Sequence, residues 1–364
     1  MADKIPLISV IIPMYNAEKY IEQCLGSMMS QTFKDCEVII VDDCSTDRSV
    51  EITDQFVDSR GGRFRLLKLH ENSGGAATPR NQAMKLSRGK YITFVDADDM
   101  LADNALEVMY NAAKQTNADV VHSERFFLPT GTGDQINAKT KMIIQSYQVG
   151  SLVNKITVET ENIAQRVVDF CQKKYIWWAC NKLFRRDFLV ENRIEFAPAR
   201  SVEDMVFMFS TLVCAKTYVR IPDVFYVYRQ NPESVTHSAL NVEQQLKRFV
   251  SSLSRGVKAL DKFLSKQKFF IEHPEFKMMS IHFLIELHML GESRVYSQFP
   301  PHMLEPLLKK EFANEAGCDD EILMTHLFSL LNVMRLQLMQ SQKNLNDLKQ
   351  RAQPQQGYQL LQFY

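Results

Sequence analysis

The stretch "YITFVDADDM", residues 91–100, decides the fold. It opens as a strand that belongs in a core, with Ile92, Phe94 and Val95 apolar. It closes on three carboxylates, Asp96, Asp98 and Asp99, within four positions. Two carboxylates 4 Å apart repel by about 1 kcal/mol in bulk water and by roughly 4 kcal/mol at an effective dielectric near 20. A buried strand that ends this way needs a partner for the charge, or must spread it into solvent.

Upstream the chain repeats the same plan. "LISVIIP" (7–13) is a short β-branched strand ended by proline, and "EVIIV" (37–41) is a second that runs into Asp42 and Asp43. "FRLLKL" (64–69) and "DVVHSER" (119–125) add two more strands around the one at 91–95. Helical spacing falls between them: Tyr20, Ile21, Cys24, Leu25 and Met28 share one face, further helices start near 47 and end near 87, and Asp103 is placed to N-cap the next. Strand and helix in alternation predict an α/β fold with a mostly parallel sheet flanked by helices. Ligands of such sheets bind beyond the carboxyl ends of the strands, so "VDD" (41–43) and "VDADD" (95–99) are expected on one edge. Residues 130–160 read as a hairpin or loop insertion, and from 241 onward the pattern is helical.

Composition excludes several classes. The chain has 364 residues, with Lys plus Arg equal to Asp plus Glu at 43 each, so no global field favours nucleic acid. The cysteines number 7, without a CxxC pair, which fits a reducing cytoplasm. No run of apolar residues is long enough to span a bilayer. Neither GxGxxG after the first strand nor GxxxxGK[ST] is present, so a phosphate ligand at this edge has lost the usual glycine-rich cradle and calls for a metal. The acidic cluster then has three readings: helix-capping carboxylates, a site for magnesium or manganese, or a pair for acid–base work.

The segments "SVIIPMYNAEKYIEQCLGSMMSQTFKDCEVIIVDDCSTDRS", "NSGGAATPRNQAM", "GKYITFVDADD", "NKLFRRDFL" and "SVEDMVF" resemble, in order, the motifs of glycosyltransferase family 2. The resemblance covers residues 7–238 and implies a GT-A fold and an inverting sugar transferase of the bacterial capsule, exopolysaccharide or lipopolysaccharide type. It implies a UDP-sugar donor, a glycan or lipid-linked acceptor, and a divalent cation, Mn or Mg. Carried over residue by residue, Asp98 ligates the metal and Asp96 meets the donor ribose or assists the metal. Asp99 takes no assigned role from the resemblance and reads otherwise as a helix cap. Asp43 takes the uracil imide, Pro13 and Tyr15 line the base pocket, and Arg80 contacts base or diphosphate. Asp204 is the catalytic base with Glu203 beside it. Arg229 and His237 lie in a segment that closes over the diphosphate, with His237 a candidate metal ligand. Trp177, Trp178 and Lys182 are candidates for an acceptor platform. Two alternatives stand beside this reading: a nucleotidyltransferase, and a degenerate member acting as a scaffold.

Two features of the C-terminal region, taken as 241–350 before a tail at 351–364, carry expectations of their own. Residues 246–264 place Leu246, Phe249, Val250, Leu253, Val257, Leu260 and Leu264 on one face and Lys247, Arg248, Arg255, Lys258 and Lys262 on the other. That fits a helix lying on an anionic bilayer at the inner face of the membrane, and equally a helix packed on the catalytic domain, residues 1–240. A heptad pattern over 324–348 suggests a homodimer seam or an intramolecular one.

Overall fold

The structure is a computed structural model and describes residues 5–60, 62–130, 136, 140–146, 152–229 and 242–291, with the isolated positions 306, 336, 339, 340, 342 and 343. Strand β1 (Ile8–Met14) is buried along nearly its whole length, and every residue of β2 (Cys36–Asp42) is buried. Strands covered on both faces read as continuous apolar runs, which is why these two lack alternation. Helix α1 (Ile21–Ser30) buries Ile21, Cys24, Leu25 and Met28, the face expected from spacing. Helix α2 (Ser49–Arg60), β3 (Phe64–Lys68), α3 (Ala77–Leu86) and β4 (Tyr91–Phe94) complete the first half. Strands β3, β2, β1 and β4 lie side by side, all parallel. Their carboxyl ends therefore share one edge, and both acidic clusters open onto it.

Beyond β4 the sheet changes character. The short β5 (Met100–Leu101) leads to α4 (Ala105–Thr116), whose N-cap is Asn104 and not Asp103; Asp103 instead offers its carbonyl to the Thr32 amide at 2.7 Å. Strand β6 (Val120–Thr130) pairs antiparallel with β7 (Lys141–Gln145), the hairpin expected in the polar insertion. Then come β8 (Thr157–Val158), α5 (Ile163–Cys171), β9 (Lys182–Arg185), α6 (Arg186–Glu191), α7 (Glu203–Cys214) and β10 (Tyr218–Val227). The strand order is β3-β2-β1-β4-β9-β6-β10-β5. Strand β9 runs antiparallel to both neighbours, β4 and β6, while β6 and β10 are parallel to each other. The sheet is thus mixed: a parallel half joined to a second half through one reversed strand.

Helices α8 (Val242–Leu264), α9 (Lys268–Glu272) and α10 (Pro274–Gly291) follow. Phe249, Val250, Leu253, Val257, Leu260 and Leu264 are buried, and α8 packs on α7 and α10 within the same apolar core as the sheet. This corrects the expectation of a bilayer-facing stripe. Each such side chain gains roughly 1.5–3 kcal/mol from burial, and the protein's own core already takes that gain. Arg255, Lys258 and Lys262 remain on the exposed side. Among the described residues no helix is long and apolar enough to cross a membrane. The boundary expected at 240, the tail at 351–364 and all but isolated positions of the 324–348 heptads lie outside the described residues.

Candidate active site

The three carboxylates of "VDADD" meet three different fates. Asp96 receives Nη2 of Arg80 at 2.8 Å. Asp99 is buried, accepting the Tyr226 hydroxyl at 2.6 Å on one oxygen and the Arg229 amide at 2.7 Å on the other. Burial, then the charges of Asp98 and Asp96, push Asp99 well above the usual carboxylate range, against the pull of those two hydrogen bonds. Asp98 is left half-buried at the opening. The repulsion is therefore relieved in the first place by the protein: Asp96 is paired with Arg80, and Asp99 is buried and hydrogen-bonded to β10 and Arg229. Asp99 caps no helix; it anchors the strand end to β10.

Arg80 comes from α3, whose buried face is Ala77, Pro79, Arg80 and Ala83. Its small neighbours leave room for the guanidinium to lie flat. The side chain is buried, and Nη1 reaches Asp204 Oδ1 at 2.6 Å while Nη2 holds Asp96. The Phe196 ring stacks below it at 5.1 Å from the guanidinium carbon, a favourable cation–π contact. Arg80 was expected to contact base or diphosphate; both its terminal nitrogens are instead committed to carboxylates. A planar fork that can serve two anions at once is the property that makes arginine suited to this place.

Asp204 is the second residue of α7, and its Oδ2 accepts the Ala179 amide at 3.1 Å. Burial raises its pKa; Arg80 opposes, Asp96 adds, and the Ala179 amide and Lys182 oppose further, with a net upward shift. A helix N-terminus favours the ionised form; desolvation outweighs it, leaving a carboxylate with more than ordinary affinity for a proton. Glu203, next to it, is buried with Oε2 lacking a hydrogen-bond partner, and burial followed by the Asp204 charge pushes it up to about 8.

Arg229 donates from Nε to the Asp98 carbonyl at 2.8 Å and from Nη2 to Gln23 Oε1 at 2.8 Å, with its guanidinium carbon 4.9 Å from the Tyr20 ring centre. It braces the backbone of the acidic cluster. On the other side of the edge Asp43 accepts the Ser73 amide at 2.8 Å, and its carbonyl accepts Asn72 at 2.7 Å. Asp42 closes a turn, accepting the Ser45 amide at 3.2 Å. Pro13 is half-buried, and Tyr15 is 45% exposed, free to offer a ring to a base. Trp178 is half-buried and stacks on Tyr228 at 5.2 Å. Trp177 is half-buried, packed against the core. Lys182 corrects the expectation: it is 0% exposed, donates to the Trp178 carbonyl at 2.5 Å, and burial lowers it to about 7. No acceptor can reach it. His237 lies outside the described residues. Tyr226, Gln23, Phe196 and the Ala179 amide were not foreseen; only the alternation in "VFYVYR" hinted that Tyr226 points inward.

The donor set fits a hard divalent cation. Asp98 is half-buried, and the Asp96 side chain near it is 39% exposed despite its ion pair. Such ions take one or two carboxylates plus phosphate oxygens. Among the described residues no group of three or more His, Cys, Asp or Glu could hold an ion alone.

The chain is similar to known glycosyltransferases. The chain is 31% identical over 233 residues to the uncharacterized glycosyltransferase EpsJ of Bacillus subtilis, covering 64% of this chain and 63% of that one. It is 30% identical over 244 residues to the poly(ribitol-phosphate) β-N-acetylglucosaminyltransferase TarP of Staphylococcus aureus, covering 64% and 66%. The match thus spans less than two thirds of either relative's length. Among solved structures, residues 1–349 of S. aureus TarS in complex with UDP-GlcNAc superpose with a TM-score of 0.54 at 21% identity, over 85% of this chain and 89% of that one. That likeness shows a shared GT-A fold. The sequence model described as glycosyl transferase family 2 matches residues 9–190, from the first strand through the acidic cluster to α6, and the chain belongs to that family.

Proposed function

We propose that the protein transfers a sugar from a UDP-sugar to a hydroxyl of a glycan or glycolipid acceptor, with inversion, in the building of a bacterial surface polymer. The observation that carries this reading is the chain of ion pairs Asp204–Arg80–Asp96, which couples a proton-accepting carboxylate to the acidic cluster on the ligand edge. The relatives support it: TarP is by name an N-acetylglucosaminyltransferase, and TarS was crystallised with UDP-GlcNAc.

In this reading Asp43 receives the uracil imide, with Pro13 and Tyr15 beside the base, and Asp96 meets the ribose. The acceptor oxygen attacks the anomeric carbon opposite the diphosphate. Asp204 takes the hydroxyl proton as the new C–O bond forms, and the bond from carbon to phosphate oxygen breaks with its electron pair leaving on UDP. An α-linked donor then yields a β-linked product. Arg80 holds Asp204 in place and charged until the proton arrives, and Trp178 offers an aromatic face to the acceptor sugar. Asp98, with Asp96 beside it and His237 as a further ligand, would hold a divalent cation, Mn or Mg, which would supply neutralising charge to the leaving diphosphate. The test is a panel of nucleotide-sugars incubated with the full chain and manganese, scored for nucleotide release. Release from one or more UDP-sugars is expected; a panel in which only non-uridine donors turn over, or none does, overturns the reading.

A further inference from the structure

Helix α8 touches the site through two residues one turn apart on one face. The Ser252 hydroxyl accepts the amides of Arg200 at 2.9 Å and Ser201 at 3.0 Å, and shares a hydrogen bond with the Ser201 hydroxyl at 2.9 Å. Four residues on, Gly256 faces Val202: a Cβ at Gly256 would stand 2.2 Å from Val202 Cγ2 and 3.3 Å from its Cβ. Val202 is the N-cap residue of α7, immediately before Glu203 and Asp204. It is buried and β-branched, so its side chain has little freedom to turn away.

The same segment is held from the opposite side by α3. Asn81 and Phe196 exchange a reciprocal pair of bonds, each 2.9 Å, between the Asn81 amide group and the Phe196 backbone. The Arg200 guanidinium lies on Gly74, at φ +85°, so closely that a Cβ there would be 2.0 Å from Nη2. The loop before α7 is therefore gripped between α3, which also carries Arg80, and α8.

We propose that Ser252 and Gly256 are positioning residues for Asp204: α8 is the back wall that sets where the base stands relative to the acceptor hydroxyl. The proposal rests on Asp204 being the base. It gives helix α8 a part in the chemistry through the segment that leads into α7.

Reacting groups misplaced by about 1 Å can lose on the order of a hundredfold in rate. Gly256→Ala in the full chain is expected to lower kcat for UDP release from the UDP-sugar by about ten- to a hundredfold, with UDP affinity by calorimetry unchanged. Ser252→Ala should do the same more weakly, and Ser252→Thr, which keeps a hydroxyl, should restore most of the loss. In an Asp204→Asn background, Gly256→Ala should cause no further loss, because residues that act as a unit are not additive. An active Asp204→Asn protein overturns the base assignment and this proposal with it. An inactive Asp204→Asn overturns the proposal alone if Gly256→Ala and Ser252→Ala keep kcat within about twofold of wild type. The same holds if Gly256→Ala multiplies the Asp204→Asn loss. Should Gly256→Ala not fold, the Ser252 pair decides by the same readouts.

Discussion

Two arginines in this protein each bridge two carboxylates, and they serve different ends. Arg80 joins Asp96 and Asp204; Arg220, on β10, joins Glu124 and Glu159. In the second trio the spare oxygens are spoken for: Glu124 Oε2 accepts the Val153 amide at 2.6 Å and Glu159 Oε2 accepts the Tyr175 hydroxyl at 3.1 Å. The Glu124 side chain is 0% exposed. In the first trio the arginine is deeper, its side chain 4% exposed against 15% for Arg220, but its partners are 39% and 22% exposed. A sealed network satisfies itself and holds β6, β8 and β10 together; a network whose ends reach solvent keeps lone pairs for a ligand. Accessibility of the anions, more than the ion pairing, marks the chemistry.

The comparison can be broken by removing one member from each trio. Asp204→Asn should lower turnover by about 10²–10⁴-fold, with melting temperature and UDP affinity nearly unchanged; a destabilised but active variant would make Asp204 a structural residue like Glu124. Arg220→Met should do the reverse. Leaving Glu124 buried without its cation costs about 3–5 kcal/mol, read as a lower denaturation midpoint, while the folded fraction binds UDP as before. Asp98→Asn should reduce the manganese-dependent gain in UDP affinity by about tenfold, or 1.4 kcal/mol, without moving the melting temperature; equal UDP affinity with and without manganese in the wild type would remove the cation from the site. The smallest effect concerns Glu203, raised in the folded state from 4.5 to about 8. Between those values the folded protein holds a proton that the unfolded chain has released, so this group's stabilising contribution is full below pH 4.5 and is lost as pH rises through 8. Glu203→Gln should flatten that decline, seen as a higher melting temperature than wild type at pH 9 and little difference at pH 5.

How much of this was legible follows from the range of each interaction. The strands β1, β2 and β4 announce themselves as apolar runs, and their acidic ends name the ligand edge, because both signals are local. Arg80 reads as an ordinary helix arginine until Asp204 arrives from 124 positions away. Asp99 reads as a cap until Tyr226 meets it across 127 positions. Lys182 carries a charge that argues for the surface, yet the strand it begins is central and takes it inside. The amphipathic face of α8 was visible, but amphipathicity states that a face will be covered, not by what. Strand β9 was hidden altogether: four residues, "KLFR", hold too little pattern to reveal a central reversed strand.

That reversed strand has a consequence for how the enzyme is made. Strand β9 is synthesised after β6 but inserts between β4 and β6, so the two halves of the sheet cannot join before residue 185 leaves the ribosome. At about 5–20 residues per second, the roughly 90 residues from β4 to β9 take on the order of 5–20 s. During that interval β4 shows an unpaired edge, a template for mispairing with other nascent chains. The parallel half of the sheet and the half that carries β6 and β10 acquire their common register only when a four-residue strand is set between them.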